Sequence, residues 1–374
     1  KWFLMKAVVL KHASKTEDGL TVKERAPPNP GRFQVVVHVL ACALSDLDVR
    51  VRQGEHDEVV SYPLTPGFQV VGRIDTLGQD IEHFFLGDIV AGLVRVDNSV
   101  GGCSEKALLE TSDIVRVPEG VDPVLAAGVL TPAVLAYTAL HYHTRLCRGE
   151  NCLIFNGASA DGIVAIELAH FLGGKVFTTA VSAEEVRFLE PFVERGVIER
   201  IIDGSREDVV DTMIAETGAL GVDVILGVPP PPLSVVGADE DEVAMTDETD
   251  DGDLRRLDDA LQLLAPFGRW SVCYDTMQLD ASRIRLLHSK SASIAFLNEQ
   301  VWVCSGYQQG RFKHVLSDAL DKVSQGIFTP HIAHTFSLDQ IREAHRLLHS
   351  IRVGTIAIVP SSPQRGLEAE DGDE

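Results

Sequence analysis

The chain has 374 residues, of which 55 are acidic and 33 basic, for a formal net charge of −22. Hydrophobic residues at 45% and charged residues at 24% give a globular composition with material for a buried core, at a length that suits two domains. The charge balance argues against a surface that grips nucleic-acid phosphates, which needs clustered Lys and Arg. More than half of the net charge, −13 of −22, sits in two short segments, residues 229–254 with nine acids and no base, and residues 361–374 with five acids and one Arg. Six cysteines (Cys42, Cys103, Cys147, Cys152, Cys273, Cys304) show no CxxC spacing, as expected of free thiols in a reducing compartment. The apolar start is too short for a membrane span, and no stretch approaches about 18 uninterrupted apolar residues. A cytoplasmic protein without direct nucleic-acid or membrane binding is expected.

In chain order, Gln34–Leu40 places Val35, Val37 and Val39 on one face, the period of two of a half-buried strand. Short β runs follow at Phe68–Ile74, Asp88–Val94 and Asp113–Val117, punctuated by Gly and Pro, and predict a mostly antiparallel, barrel-like region. Asp122–Tyr142 is Ala- and Leu-rich and helical, with a break expected at Pro132. From Asn151 the rhythm alternates. Strands are expected at Cys152–Phe155, Lys175–Ala180, Arg200–Ile202, Val222–Leu226, Arg269–Cys273 and Ser293–Leu297. Helices are expected at Gly162–Leu172, Ala183–Phe192, Arg206–Thr217 and Leu254–Leu264. This pattern predicts an α/β fold in which a parallel sheet, wound by right-handed crossovers, is inserted into a β-rich domain. Residues 5–125 and 328–360 then form the β-rich domain and residues 126–327 a Rossmann-type domain. Pro229–Asp253, four prolines followed by an acidic run, reads as a mobile loop, and residues 361–374 as a disordered tail.

The PxxPGxxxxG block at Pro63–Gly72, the Gly-Asp-x-Val turn at Gly87–Val90, Ala126-Ala127 and the helix segment Ala136–Leu140 together resemble the medium-chain dehydrogenase/reductase family. The resemblance is to its quinone oxidoreductase (zeta-crystallin) branch. It covers about residues 5–360, and it implies a GroES-like domain with an inserted Rossmann domain. Ala41–Ser45, Ala136–Tyr142, Asn156–Gly162 and Ala295–Glu299 are closer still to its quinone oxidoreductase-like members.

Zinc-dependent relatives place a Cys before a Ser/Thr-Asp pair and a His-Glu pair after the block's Gly. Here Ala43 precedes Leu44-Ser45-Asp46, and Phe68-Gln69 follows Gly67, so no zinc is expected. His331/His334 and His345/His349 read as surface histidines rather than metal ligands. The strand–turn–helix at Cys152–Leu172 has the context of a dinucleotide site, with Gly157, Ser159 and Gly162 as its small residues. Ser159 adds a side chain where backbone should approach phosphate, and Asp161 adds negative charge. The turn either binds weakly or survives for folding alone. At the second strand's end the resemblance implies Ser182, with Arg187 nearby, on a 2′-phosphate, so that any cofactor is weakly held NADPH. Ser182-x-x-Glu185 also reads as a helix capping box. Ser45 and Arg50 stand where quinone reductases carry Asn and Tyr, and no catalytic residue is assigned.

Two functions follow. One is a scaffold or interaction subunit; the resemblance implies a homodimer and membership of an endosomal small-GTPase effector complex linked to messenger RNA. The other is an NADPH-dependent, zinc-free reductase of quinones or activated alkenes.

Overall fold

The computed structural model describes residues 4–56, 58–227, 257–273 and 277–360. The acidic segment 229–253 and the tail 361–374 lie outside the described residues.

Strands β1 (Met5–Leu10) and β2 (Leu20–Arg25) form an antiparallel pair. A seven-stranded sheet gathers β3 (Gln34–Leu44), β4 (Gln69–Leu77), β5 (Ile89–Leu93), β6 (Lys106–Glu110), β7 (Ile114–Arg116), β14 (Ile332–Phe336) and β15 (Thr355–Ile358). Its order is β14-β15-β3-β4-β5-β7, with β6 also on β3, so the last two strands of the described chain join the early ones as expected. Between them lies a wholly parallel six-stranded sheet. It is built from β8 (Asn151–Ile154), β9 (Lys175–Ala180), β10 (Arg200–Asp203), β11 (Val222–Leu226), β12 (Leu264–Val272) and β13 (Ser293–Phe296). The order β10-β9-β8-β11-β12-β13 is that of a doubly wound nucleotide-binding sheet, and it reverses direction between β8 and β11.

Helix α1 (Asp46–Gln53) follows β3, and α2 (Pro123–Tyr137) joins the two sheets. Contrary to expectation, Pro132 does not break α2. An interior proline costs about 3 kcal/mol, whereas full burial of one Val or Leu contributes about 1.5–3 kcal/mol. The helix buries every residue from Ala126 to Ala136, four of them large aliphatics, so packing wins. A π-turn, Thr138–His143, continues it. By length and composition alone, Pro123–His143 could cross a membrane, but two thirds of its most apolar stretch is buried within the fold. Ala41, Val71 and Ala91 of the β-rich sheet share one apolar cluster with α2 and with Ile154 and Ala165 of the parallel-sheet region.

Two further expectations need correction. Strand β12 starts at Leu264, five residues before the expected Arg269. It pairs with β11 through a register shift between Val222 and Val224, and Phe267 takes a positive φ of 63°. His345 is not a surface histidine. It is fully buried in the helix Ile341–Ser350, and burial, with Arg52 and His349 adding, pushes its pKa down to about 3.

Helix α3 (Ala160–Phe171) carries the buried Glu167, whose carboxylate accepts hydrogen bonds from the Thr329 amide (2.9 Å) and hydroxyl. Burial raises its pKa to about 7. The folded state therefore holds a proton that the unfolded chain releases near pH 4, and the carboxyl's contribution to stability declines as pH rises from about 4 through 7. Glu167→Gln should change the melting temperature in a pH-dependent way, the gap moving in the variant's favour between pH 5 and pH 8 in thermal melts. A gap constant across that range would refute the assignment.

Candidate functional site

The reversal of strand order opens a crevice beyond the carboxyl ends of β8 and β11. A cavity of about 230 Å³ lies there, lined by Phe155, Asn156, Ser159, Gly162, Leu226 and Gly227. It adjoins a cleft of about 660 Å³ that shares Ser159, Asp161 and Leu297 with it. Leu44, Arg50 and Gln69 of the β-rich lobe line this cleft, as does Glu299 from beyond β13.

The turn between β8 and α3 is shaped by two glycines. A Cβ on Gly157 would come within 2.0 Å of the Thr178 hydroxyl, so the turn can lie against β9 only with glycine there. A Cβ on Gly162 would meet the Asn156 carbonyl oxygen at 2.4 Å and Gly157 Cα at 2.8 Å, so this glycine permits turn and helix to pack. Ser159 is the N-cap, its hydroxyl accepting from the Gly162 amide at 3.1 Å, and α3 therefore begins at Ala160 rather than Gly162. The Gly354 amide donates to the Ala158 carbonyl (2.9 Å), and Ser159 bridges to Gly354, which ties the turn to the β-rich lobe.

Gly157, Ser159 and Gly162 thus come together at the turn, whereas Ser182 and Arg187 line neither cavity. The Ser182 hydroxyl accepts from the Glu185 amide (3.2 Å) and caps α4 (Ala183–Glu194), while the Glu185 carboxylate reaches one residue further back and accepts from the Val181 amide (2.6 Å), so the expected capping box forms only in part. Exposed Arg187 folds back on the same helix, its Nε donating to the Ala183 carbonyl at 3.1 Å.

The charge in the cleft is mainly acidic. Arg50 reaches Asp46 at 3.1 Å and Glu299 at 3.4 Å, and Asp161 stands in the first turn of α3. The Asp161 carboxyl meets the water of the cleft, yet the surrounding protein, followed by Glu299 and Asp46, raises its pKa to about 7. Burial pushes the nearby Cys273 thiol up to about 12, and Asp161 and Glu299 add to the shift. Asp161 was legible from the nucleotide-turn pattern. Asp46 and Glu299 were not, because they approach it only through the tertiary fold. The set fits a dinucleotide pyrophosphate poorly: Ser159 occupies the Gly162 amide, and carboxylates line the approach to the helix amides that an anion would use.

The positions that would hold zinc are also in place but changed. Ala43 and Gln69 are register partners across β3 and β4, and Gln69 Oε1 accepts from the Thr131 amide at 3.0 Å. Neither alanine nor the phenylalanine at position 68 offers a metal a ligand atom. Among the described residues no group of three or more His, Cys, Asp or Glu is placed to hold a metal.

Residues 31–119 match the alcohol dehydrogenase GroES-like domain, and residues 251–354 match the zinc-binding dehydrogenase domain. The chain is 34% identical over 331 residues to quinone oxidoreductase-like protein 1 of Mus musculus, covering 87% of this chain and 91% of that one. Human quinone oxidoreductase is 27% identical over 201 residues, 54% of this chain and 59% of that one. An alcohol dehydrogenase superfamily protein from Novosphingobium aromaticivorans shares the fold at a TM-score of 0.78 and 23% identity, over 96% of this chain and 100% of that one. A mycobacterial protein whose structure is complexed with NADPH does so at 0.76 and 20%, over 95% and 100%.

Protonation of Asp161 removes one like charge from the approach to the turn. NADPH affinity, followed by cofactor fluorescence, should therefore strengthen as pH falls from 8 to 6, and Asp161→Asn should raise affinity at pH 8 and flatten that dependence. Identical pH profiles for the two proteins would exclude Asp161 as the cause.

Proposed function

The chain belongs to the medium-chain dehydrogenase/reductase family, among its quinone oxidoreductase-like members, and we propose that it serves mainly as an interaction subunit of a multi-protein assembly, with NADPH held weakly or not at all. One observation carries this reading: Asp46, Asp161 and Glu299 line, with a single guanidinium that pairs with Asp46 and Glu299, the crevice where the family fold would seat a pyrophosphate. Repulsion there opposes the dianion, while the apolar core that joins the lobes is intact. The assembly in this proposal is an endosomal small-GTPase effector complex, with the chain cytoplasmic and peripheral on early endosomes.

A second reading, a zinc-free NADPH-dependent reductase of quinones or activated alkenes, draws support from the roughly 660 Å³ cleft at the switch point, whose walls include Leu44, Leu135 and Leu297. NADPH titration at physiological salt separates the two. The interaction-subunit reading expects dissociation constants in the high-micromolar range or weaker, about −5 to −6 kcal/mol. A low-micromolar value, together with quinone-dependent NADPH oxidation, would establish the reductase instead.

The proposal extends to a homodimer. Strand β13 is the edge of the parallel sheet, an apolar edge open to pairing with a second copy, and its half-exposed Phe296 stands where that edge meets the cleft. Sedimentation at micromolar concentration should show a dimer, and Phe296→Lys should shift it to monomer. A wild-type protein that sediments only as monomer would refute this part.

A further inference from the structure

The cleft lies beyond the carboxyl ends of the parallel strands; their amino ends form a separate edge of the fold. Asn151 pairs with Lys175, Cys152 with Val224 and Val222 with Leu264, so β8, β9, β11 and β12 start side by side. Two large apolar side chains stand out there, Phe267 at 75% exposure and Leu220 at 72%. Their segments touch: a Cβ on Gly221 would come within 2.7 Å of the Leu263 carbonyl oxygen and 2.9 Å of the Ala265 amide nitrogen. Both segments use left-handed backbone, with φ of 63° at Phe267 itself and 64° at Ala219, next to Leu220. For a residue as bulky as phenylalanine this conformation is strained, and glycine or asparagine would relieve it. Folding favours neither the strain nor the exposure, and an aromatic held outward in this way points to a contact outside the chain.

The charges beside these two side chains are mainly positive. Arg145 and Arg148 are exposed in the turn before β8, and Lys175 is exposed at the start of β9. The Gly149 amide bonds the Gly173 carbonyl at 2.8 Å, and a Cβ on Gly173 would lie 2.8 Å from Arg148 Cγ, so that turn rests against the entry to β9. Among the described residues none of the three cations has a carboxylate within ion-pair distance. The acids close by are engaged: Glu150 pairs with Arg269 at 2.6 Å, and Asp223 accepts from the Asn151 amide at 2.8 Å. Lys290 adds a fourth cation, its ammonium donating to the carbonyls of Leu261, Gln262 and Leu264. Toward β10 the edge is mixed, with exposed Glu199 beside the Arg200–Glu216 pair, so the positive character is confined to β8, β9, β11 and β12. A net charge of −22 disfavours contact with an anionic surface overall, and this edge is a local reversal of that sign.

We propose that the edge is a docking surface for an anionic lipid bilayer, with Phe267 and Leu220 entering the headgroup layer and Arg145, Arg148 and Lys175 meeting lipid phosphates and carboxylates. Single apolar side chains flanked by long-stemmed cations match the boundary between headgroups and acyl chains, which offers negative charge and apolar depth in one place. An acidic polypeptide offers the charge without that depth. The interaction-subunit reading asks only for protein partners, so this inference does not rest on it.

The test sediments the full chain with vesicles of phosphatidylcholine alone and with vesicles containing about one third phosphatidylserine. The chain should bind the anionic vesicles at least fivefold more tightly, and the difference should shrink as salt rises. Phe267→Asn, which suits left-handed backbone, should weaken that binding at least fivefold without lowering the melting temperature. Leu220→Ser, on its own segment, should do the same and serves as the second variant if the first fails to fold. Arg145→Gln combined with Arg148→Gln should weaken binding to anionic vesicles and leave neutral ones unaffected. No binding to anionic vesicles, equal binding to neutral ones, or less than a twofold change in a folded Phe267→Asn or Leu220→Ser would each overturn the proposal. Binding of poly-glutamate in place of vesicles, lost in the same variants, would assign the edge to an acidic polypeptide and overturn it too. Each of these results leaves the NADPH titration untouched, so the two readings fail separately.

Discussion

Helix α2 is apolar on all sides, and this constraint organises the molecule. A helix with one apolar stripe can lie on a single sheet with its other face in water; a helix without a polar face must be covered all round. Here the cover comes from the β-rich sheet on one side and from α3 and the helix Gln309–Ser324 on the other, so both lobes share one apolar cluster. Gly128 shows how closely they approach, since a Cβ there would lie 2.4 Å from Ile332 Cδ1. The cleft is what remains where this closure stops. Thr131, Pro132 and Leu135 of α2 form part of its wall, so the packing that holds the lobes together also sets the shape of the cavity between them.

The electrostatics of that cavity follow from the same geometry. Asp46 opens α1 just after β3, Asp161 opens α3 just after β8, and Glu299 lies just past β13. Each stands at the end of a strand, and strand ends are where both sheets face the cleft. An acidic residue in the first turn is favourable for its own helix. Asp46 and Asp161 are thus each locally sensible, and only their convergence makes the crevice hostile to phosphate.

The architecture was legible in the sequence because its signals are periodic. Val35, Val37 and Val39 mark a strand on their own, and the strand–helix rhythm from Asn151 onward fixes a parallel sheet without reference to anything distant. Local chemistry was less informative where tertiary contacts decide. Pro132 is a helix breaker in isolation and becomes tolerable only because its surroundings are buried. Leu264 was expected to end a helix and Pro266 follows it, yet the chain enters β12 there and pairs with β11 across a bulge. His345 and His349 look alike in sequence, but the first faces the core and the second reaches Arg52 at 3.2 Å. The acidic lining of the cleft was invisible for the same reason: Asp46, Asp161 and Glu299 come from segments far apart in the chain.

The bond from the Gly354 amide to the Ala158 carbonyl has a mechanical consequence. Two-lobed proteins with a central cleft commonly admit ligands by swinging about a hinge, with the lobes parting along the cleft. Here the turn at the base of α3 is stitched to the strand entry of the opposite lobe, and the Glu167–Thr329 contact adds a second stitch on the same helix. Parting the lobes at α3 would have to break both, in addition to exposing the cover of α2. These contacts oppose opening of the cleft by a parting of the lobes along α3. Whatever enters it meets the charge that Asp46, Asp161, Glu299 and Arg50 place along its lining.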